Sequence, residues 1–329
     1  MPVSRRTFLA TSAASAAVIL SGPARAQAFP NKAIRLVVPY APGGATDFSA
    51  RILAEGMNKK LGQPVVIENR PGASQMIAME YVARAAPDGY TLIMGSEDAT
   101  ALAPFLRNAM PYQMPDAFSY ICRATLGSYM ICINPNRSYK TIQEFIAYGK
   151  ANPPNTIKYA TAGVGTAGDI AAYLIEQSTG IKMLHVAYKG GAPSLVDTLG
   201  GVTDVVCQSY SGVAEHAKAG RIRLMVCTGP ARNPLATDVP TMVDLGYKDA
   251  VLTNWLGVLG PAGIPKDVEA VLQKTVADVL REPEVKQKFL NVAFDPTPVV
   301  GEDFKKEVIE QMVKWKAFAE KTGLKMTDE

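Results

Sequence analysis

The sequence contains 329 residues, of which 48% are hydrophobic, with 34 Lys and Arg against 30 Asp and Glu and a net charge of +4. A chain of this length is long for a single hydrophobic core, so its length predicts two lobes. The charge is too small for a nucleic-acid-binding protein, which presents a basic surface to phosphates.

The N-terminus has the pattern of a twin-arginine signal peptide. Arg5 and Arg6 precede an apolar run over residues 13–20, and a small-residue cleavage site ends at Ala26. The run is too short to span a bilayer as a stable anchor. We therefore expect residues 1–26 to be removed, and the mature chain to begin near Gln27 in the periplasm. Residues 1–26 contain three arginines, no lysine and no acid, so their removal lowers the net charge from +4 to +1.

The first strand candidate leads into a glycine turn and then a helix. Residues 37–47, Val-Val-Pro-Tyr-Ala-Pro-Gly-Gly-Ala-Thr-Asp, end an apolar strand and begin a helix that Gly62 closes. The first amides of a helix lack intrahelical acceptors, and the helix dipole adds partial positive charge there. Glycines leave these amides accessible, so the turn predicts an anion-binding site. The turn alone is equally consistent with a strand-to-helix connection that binds nothing.

A second strand–glycine–helix unit covers residues 157–175. Gly163, Gly165 and Gly168 match the G-x-G-x-x-G pattern of dinucleotide sites, but the next strand lacks the acid that would hold a ribose. We therefore interpret the two glycine turns together, as two helix N-termini on a cleft that closes on a small ligand. Gly43 and Gly165 are then expected to face each other across that cleft.

Strand and helix candidates alternate along the chain, which predicts an α/β fold with largely parallel sheets. Two extended runs, residues 118–134 and 252–261, are predicted to cross between the lobes. The first lobe then comprises residues 27–124 plus 252–329, and the second comprises residues 125–251. In the C-terminal helix, an apolar stripe is typical of core packing. Its members are Phe304, Val308, Ile309, Met312, Trp315 and Phe318.

The reactive side chains give no strong catalytic or metal signal. His185 and His216 lack metal-ligand spacing, and no G-x-S-x-G motif occurs, so we expect no metal and no cofactor. A Ser-His-Asp site assembled in space would leave no sequence pattern, so an exported hydrolase or a twin-arginine-exported oxidoreductase is the alternative function. Four cysteines lie in apolar runs and are predicted to be buried thiols, although an oxidising compartment also permits disulfides. They are Cys122, Cys132, Cys207 and Cys227.

Several motifs together indicate a family. They are residues 39–44 with Asp47, 66–73, 87–91, 162–166, 185–193, 238–241, 255–257 and 261–263. In these segments the sequence resembles the substrate-binding proteins of tripartite tricarboxylate transporters, the Bug-type receptors. The resemblance implies a two-lobed Venus-flytrap fold of the type II-like periplasmic-binding-protein class, with the ligand cleft between the lobes. It also implies a monomer without catalytic activity that captures a small carboxylate, or a related aromatic acid or amide, and that works with membrane subunits of the transporter.

The resemblance places the ligand on the two glycine loops and on neighbouring strand ends. The expected binding residues are Tyr40, Ala41, Pro42, Gly43, Gly44 and Asp47 in the first loop, Thr161, Ala162, Gly163, Gly165 and Thr166 in the second, and Ser96, Tyr188 and Gln208 at strand ends. We expect backbone amides to provide most of the affinity. Asp47 has two open roles, stabilising the helix start or accepting a hydrogen bond from the ligand.

Three acids depart from the usual pattern of the family, namely Glu97, Asp98 and Asp169. If they faced the cleft, a dicarboxylate or tricarboxylate would meet like charge, and an aromatic acid, an amide or an amino-bearing ligand would fit better. We expect instead that each acid points to solvent or caps a helix, because exposed acids are the common case. Asp169 is well placed as an N-cap.

Overall fold

The computed structural model describes residues 29–233, 235–248, 250–291 and 294–323. The chain divides into an N-terminal unit, Met1–Asn31, and a main unit, Lys32–Glu329. The predicted signal peptide, residues 1–26, lies outside the described residues. Within the described ranges, every helix is too short or too polar to cross a membrane.

All the strands and helices named here belong to the main unit. The strands are β1 (Ile34–Val38), β2 (Val65–Asn69), β3 (Thr91–Ser96), β4 (Phe118–Ile133), β5 (Ile157–Thr161), β6 (Met183–Ala187), β7 (Val205–Ser209), β8 (Arg223–Cys227), β9 (Thr253–Pro261) and β10 (Val299–Val300). The helices are α1 (Ala45–Leu61), α2 (Met76–Ala83), α3 (Ala103–Leu106), α4 (Ile142–Ala151), α5 (Ala167–Thr179), α6 (Gly191–Leu199), α7 (Tyr210–Lys218), α8 (Lys266–Arg281), α9 (Pro283–Leu290) and α10 (Gly301–Thr322). A 3₁₀ turn at Ala73–Gln75 precedes α2, and a π-helical turn at Asp98–Leu102 precedes α3.

The strands follow the order β2-β1-β3-β9-β4-β7-β5-β6, and β8 and β10 both pair with β4. β1 pairs in parallel with β2 and β3, and β5 pairs in parallel with β6 and β7. These parallel strands confirm the predicted α/β arrangement. Two antiparallel strands, β4 and β9, lie between the two parallel groups.

β4 runs through both parts of the sheet. Its residues 118–128 pair with β9, and residues 129–133 pair with β7. We call the strands on the β9 side the first half-sheet and those on the β7 side the second half-sheet. The two extended runs of the sequence are thus strands β4 and β9, whereas the lobe boundaries themselves stay a prediction.

Each half-sheet has its own hydrophobic core. On the first, Met79, Ile93 and Phe304 belong to one buried cluster, and on the second, Phe145 and Ile170 belong to another. Burying each such side chain contributes about 1.5–3 kcal/mol. The packing role predicted for the C-terminal stripe is confirmed in α10, where Phe304, Val308 and Trp315 are buried, but Ile309 is 40% exposed and lies off the stripe.

All four cysteines are buried and carry free thiols. This confirms the prediction that they act as small apolar residues of the core. Burial raises the pKa of Cys122 to about 12, so its thiol stays protonated and unreactive at neutral pH.

Candidate functional site

Four helices begin beside one cavity, each of them the next helix in the chain after a parallel strand or β7. α1 follows β1, α5 follows β5, α6 follows β6 and α7 follows β7. Their starts place Gly44, Gly168, Gly191 and Ser209 in the wall of a cavity of about 40 Å³, which we call the first cavity. This is the carboxyl edge of the parallel strands, where open α/β sheets bind ligands. None of the described residues that line the cavity is charged, and the helix N-termini place partial positive charge at its wall.

The first loop, residues 39–44, is held by a buried carboxylate. Asp47 is 3% exposed and accepts a hydrogen bond from Gly43 N at 3.0 Å. It also accepts from Arg51 at 2.9 and 3.0 Å and from Asn69 Nδ2 at 2.9 Å. Burial by itself raises the pKa of Asp47, but the hydrogen bonds from Arg51, Asn69 and Gly43 outweigh it and lower that pKa below its usual value. These contacts favour the helix-start role for Asp47.

The second loop, residues 161–166, uses the same device. Asp169, in the first turn of α5, accepts a hydrogen bond from Gly165 N at 2.8 Å and from Tyr159 Oη at 2.9 Å. His185 stacks on the Tyr159 ring with centroids 4.6 Å apart, and its Nδ1 lies 3.4 Å from Asp169 Oδ1. Asp169 therefore stabilises the start of α5 as expected, although the N-cap residue is Thr166.

The first loop packs against a third turn, residues 188–190, which precedes α6. Ala41 N donates to the Lys189 carbonyl at 3.3 Å. A Cβ added at Gly43 would lie 3.7 Å from the Cβ of Ala192. The first loop therefore packs against the start of α6. Residues of both glycine loops, Tyr40 and Ala162, line the same two cavities, and the expectation that Gly43 and Gly165 face each other stays a prediction.

The predicted binding residues fall into three groups. Those lining the first cavity are Tyr40, Gly44, Ser96, Ala162 and Gln208. Those lining an adjoining second cavity, of about 190 Å³, are Tyr40, Ala162, Gly163 and Tyr188. The others line neither cavity and belong to the loops themselves, namely Ala41, Pro42, Gly43, Asp47, Thr161, Gly165 and Thr166.

Two polar residues that line the first cavity, Tyr129 on β4 and Asn254 on β9, are absent from the predicted site. Asn254 Nδ2 donates to Tyr129 Oη at 3.3 Å. The two extended runs were interpreted only as crossings between lobes. Asn254 is a lone amide in an apolar run, a signal that could have identified it, whereas Tyr129 shares its run with Tyr120 and Arg123 and gives no such signal.

A turn with left-handed backbone borders the second cavity. Ala73, Ser74 and Gln75 have φ values of +44°, +47° and +80°, which side-chain-bearing residues rarely adopt. Ser74 packs against the second loop, where a Cβ added at Gly163 would lie 2.8 Å from Ser74 Oγ. Gln75 Oε1 accepts from Ser96 Oγ at 2.8 Å. These residues were also missed, because positive φ outside glycine leaves no sequence signal.

Glu97 and Asp98 are only 4% and 3% exposed, so neither points to solvent, one of the two positions expected for them. Asp98 takes the other expected position, at the start of a helix, whereas the Glu97 side chain makes no cap hydrogen bond and takes neither. Glu97 accepts a hydrogen bond from Trp315 Nε1 of α10 at 2.8 Å, and burial raises its pKa to about 7. Asp98 accepts from Tyr40 Oη and from Ala167 N, both at 3.3 Å. The carboxylate of Asp98 therefore connects the first half-sheet to the N-terminus of α5.

Tyr40 is a neutral donor in this contact. Its burial, followed by the nearby charge of Asp98, raises the pKa of Tyr40 well above its usual value. Ser96 also contacts Asp98 through its hydroxyl. Two residues that line the first cavity thus hold the Asp98 carboxylate directly behind its wall.

Comparison with known proteins identifies the family. The sequence matches the family described as "Tripartite tricarboxylate transporter family receptor" over residues 49–324. Protein BugT of Bordetella pertussis is 29% identical over 308 residues, which cover 93% of this chain and 94% of BugT.

Solved structures agree with this match. The periplasmic binding protein BugD matches with a TM-score of 0.87 at 30% identity, over 90% of this chain and 99% of its own. An R. palustris protein solved with adipate matches with a TM-score of 0.87 at 27% identity, over 90% and 99% of the two chains. MatC from Rhodopseudomonas palustris with bound malate matches with a TM-score of 0.83 at 27% identity, over 88% and 99%.

These likenesses confirm the α/β, two-lobed fold of periplasmic binding proteins that the sequence predicted. They also confirm the resemblance drawn from the sequence motifs, since the matched segment covers the whole second glycine-loop helix and the first from residue 49 onward. The chain belongs to the tripartite tricarboxylate transporter receptor family, a family of solute-binding receptors.

Proposed function

We propose that this chain is a periplasmic receptor that captures a small organic carboxylate in the first cavity. The observation that carries the proposal is the convergence of four helix N-termini on a cavity lined by no charged residue among those described. Free amides and helix dipoles at such positions favour a carboxylate. The relatives solved with adipate and malate support this class of ligand.

The predicted site residues divide into those that contact the ligand and those that hold the loops. We infer that the amides at the starts of α1 and α6 bind the carboxylate, because Gly44, Thr46 and Gly191 line the first cavity. Tyr40 and Gln208 then contribute polar side chains. Asp47 acts indirectly, since its oxygens bond to Gly43, Arg51 and Asn69.

We further propose that the lobes are residues 27–124 plus 252–329 and residues 125–251, and that they move about β4 and β9. The pairing of β4 changes from β9 to β7 between residues 128 and 129, which supports a boundary close to the predicted one. A hinge in two long strands allows a small closed cavity to open for ligand entry.

We infer that the receptor has no catalytic activity. Three side chains resemble a catalytic triad, with Thr161 in the place of the nucleophile, His185 of the base and Asp169 of the acid. Thr161 Oγ1 lies 2.7 Å from His185 Nε2. However, Thr161 is fully buried, and its hydroxyl also bonds to the Gly163 carbonyl at 3.1 Å. A nucleophile needs access to its substrate, so these side chains support the second loop instead.

We propose export with cleavage near Gln27, by the twin-arginine route, followed by action as a monomer that delivers its ligand to membrane subunits of a transporter. The sequence pattern at Arg5 and Arg6 and the family match support this. Replacing both arginines with Lys should retain the protein in the cytoplasm. Unchanged export of the double variant would show that the general secretory route suffices.

A ligand screen by thermal shift tests the proposed function. The panel contains small carboxylates, aromatic acids and amides, and ligand at 100 times its Kd stabilises the folded state by about 2.7 kcal/mol. We expect at least one carboxylate to raise the Tm and to be recovered unchanged by mass spectrometry. A panel that leaves the Tm unchanged contradicts a carboxylate receptor, and conversion of the ligand contradicts the absence of catalysis.

A further inference from the structure

The N-terminus of α5 already carries a carboxylate from the protein itself. Asp98 Oδ2 accepts a hydrogen bond from Ala167 N, the first residue of this 13-residue helix, at 3.3 Å. Asp98 is 3% exposed and is also held by Tyr40 and Ser96. A buried acid at a helix N-terminus takes the position that favours an external anion. One of the four helix starts around the first cavity is therefore satisfied internally.

Asp98 also sets the charge that a ligand meets. The residues that hold its carboxylate, Tyr40 and Ser96, are themselves part of the cavity wall, and no described lining residue is a lysine or an arginine. A ligand with two carboxylates would place its second charge near this acid in a poorly solvated site. Like charges in such a site repel strongly because little water screens them.

Two other groups in the wall require a hydrogen-bond donor. Gln208 Oε1 and Asn254 Oδ1 have no hydrogen-bond partner, and both residues are only 6% exposed. Both residues line the first cavity. A buried acceptor left without a donor costs about 1–3 kcal/mol. When the cleft opens for ligand entry, an N–H group of the ligand can reach and satisfy these oxygens, whereas a second carboxylate would add two further acceptors.

We propose that Asp98 occupies one anion site of the cleft, and that the ligand is a small monocarboxylate whose other end is an amide or ammonium group. The carboxylate binds at the starts of α1 and α6, and the N–H groups bind to Gln208 and Asn254. This inference rests on the proposed function, and it names the ligand class of the same site. Asp98, Gln208 and Asn254 are its specificity-determining residues.

Matched ligands test this inference on the unaltered mature protein. Succinate and succinamate differ only in the replacement of one carboxylate by an amide, and 4-aminobutyrate presents an ammonium group instead. By isothermal titration we expect succinamate or 4-aminobutyrate to bind about tenfold or more tightly than succinate. A tenfold difference in affinity is what one hydrogen bond to a charged group contributes. Whichever of the two binds more tightly distinguishes an amide from an ammonium ligand.

Two neighbouring acids provide a variant and its control. Asp98→Asn removes the charge behind the cavity. We expect the ratio of the affinity for the nitrogen-bearing ligand to the affinity for succinate to fall about tenfold. Glu97→Gln changes an equally buried acid that bonds to Trp315 on α10, and we expect it to leave the preference unchanged. If Asp98→Asn does not fold, the comparison of ligands on the unaltered protein still decides.

Each contradicting result is distinct. Succinate binding as tightly as both nitrogen-bearing ligands would overturn the inference and leave the carboxylate receptor intact. An equal loss of preference in Glu97→Gln and Asp98→Asn would overturn the role of Asp98. If no carboxylate or amide of the wider thermal-shift panel bound, the proposed function itself would fail, and this inference with it.

Discussion

The two glycine loops share one local design and differ in what meets their helices. In each, an aspartate in the first helical turn accepts a hydrogen bond from a glycine amide four residues earlier, Gly43 N to Asp47 at 3.0 Å and Gly165 N to Asp169 at 2.8 Å. This contact closes the loop on its own helix. The two loops therefore share the same strand–turn–helix structure.

The difference lies in tertiary contacts. The start of α1 is open to the first cavity through Gly44 and Thr46, whereas the first amide of α5 bonds to Asp98 from the other half-sheet. The same strand–glycine–helix pattern thus produces one helix N-terminus that is open to a ligand and one that already bonds to a side chain of the protein. Local sequence predicts the capacity to bind an anion, and the packing decides which anion is bound.

The largest expected effect comes from blocking the open helix start. A Cβ at Gly44 would lie 3.8 Å from Ala192 N, an ordinary contact, and the Gly44 φ of −87° suits any residue. The γ-methyl groups of Gly44→Val would extend into the space between α1 and α6. We expect isothermal titration to show an affinity loss of about 100-fold or more, as a lost charge-assisted contact plus a steric clash imply.

Gly44→Ala is the matched control at the same position. Its single methyl group makes only ordinary contacts, so we expect it to retain most of the affinity, and both variants should keep the Tm of the parent protein within a few degrees. Equal binding by Gly44→Val and the parent protein would mean that the open start of α1 is not the anion site.

Glu97, the chain neighbour of Asp98, tests the effect of a buried acid that bonds to the core and not to the cleft. Burial raises the pKa of Glu97 from 4.5 to about 7. A carboxyl with a raised folded-state pKa contributes stability below the unfolded-state pKa and loses it as pH rises through the folded-state value. Glu97→Gln should therefore gain roughly 2–3 kcal/mol of relative stability between pH 4.5 and pH 8. Urea unfolding at both pH values measures this, and parallel pH profiles of variant and parent protein would disprove it.

A variant of Asp47 tests the contact that both loops share, the hydrogen bond from a glycine amide to an aspartate of the helix. Its pKa is lowered, because the hydrogen bonds from Arg51, Asn69 and Gly43 outweigh burial. Its contribution is thus present above an unfolded-state pKa near 3.9 and is lost as pH falls through the lower folded-state value. We expect Asp47→Asn to cost roughly 1–2 kcal/mol of unfolding free energy at pH 7, with the order of ligand preferences unchanged. A changed order, measured by titration with the ligand panel, would instead assign Asp47 to recognition.

The smallest effect is expected at the second loop. Tyr159→Phe removes the hydroxyl that donates to Asp169 and keeps the ring that stacks on His185. We expect a loss of about 0.5–1.5 kcal/mol in urea unfolding and no change in ligand affinity. A tenfold loss of affinity would show that the second loop contributes to binding as directly as the first.

The fold was largely predictable because its elements have strong local signals. Gly62, for example, ends α1 at a φ of +63°. The alternation of strand and helix candidates along the chain indicated the parallel strands on either side of β4 and β9. The glycine loops were found for the same reason. The family motifs then added the ligand cleft between the lobes.

The site was only partly predictable, because its remaining residues depend on contacts between distant segments. The burial of Asp98 arises from packing against Tyr40 and Ala167, which lie 58 and 69 residues away in the chain. The pairing of the first loop with Ala192 depends on how the half-sheets join. Neither relation leaves a periodic or compositional signal, so for these acids the sequence predicted only the common alternatives, solvent or a helix cap.

A crystal structure of the receptor with its ligand tests the central claim most directly. We predict that the ligand carboxylate lies within hydrogen-bonding distance of the amides at the starts of α1 and α6, and that Asp98 still bonds to Ala167 N. A carboxylate that displaces Asp98 from the start of α5, or a ligand bound outside the first cavity, would contradict the claim.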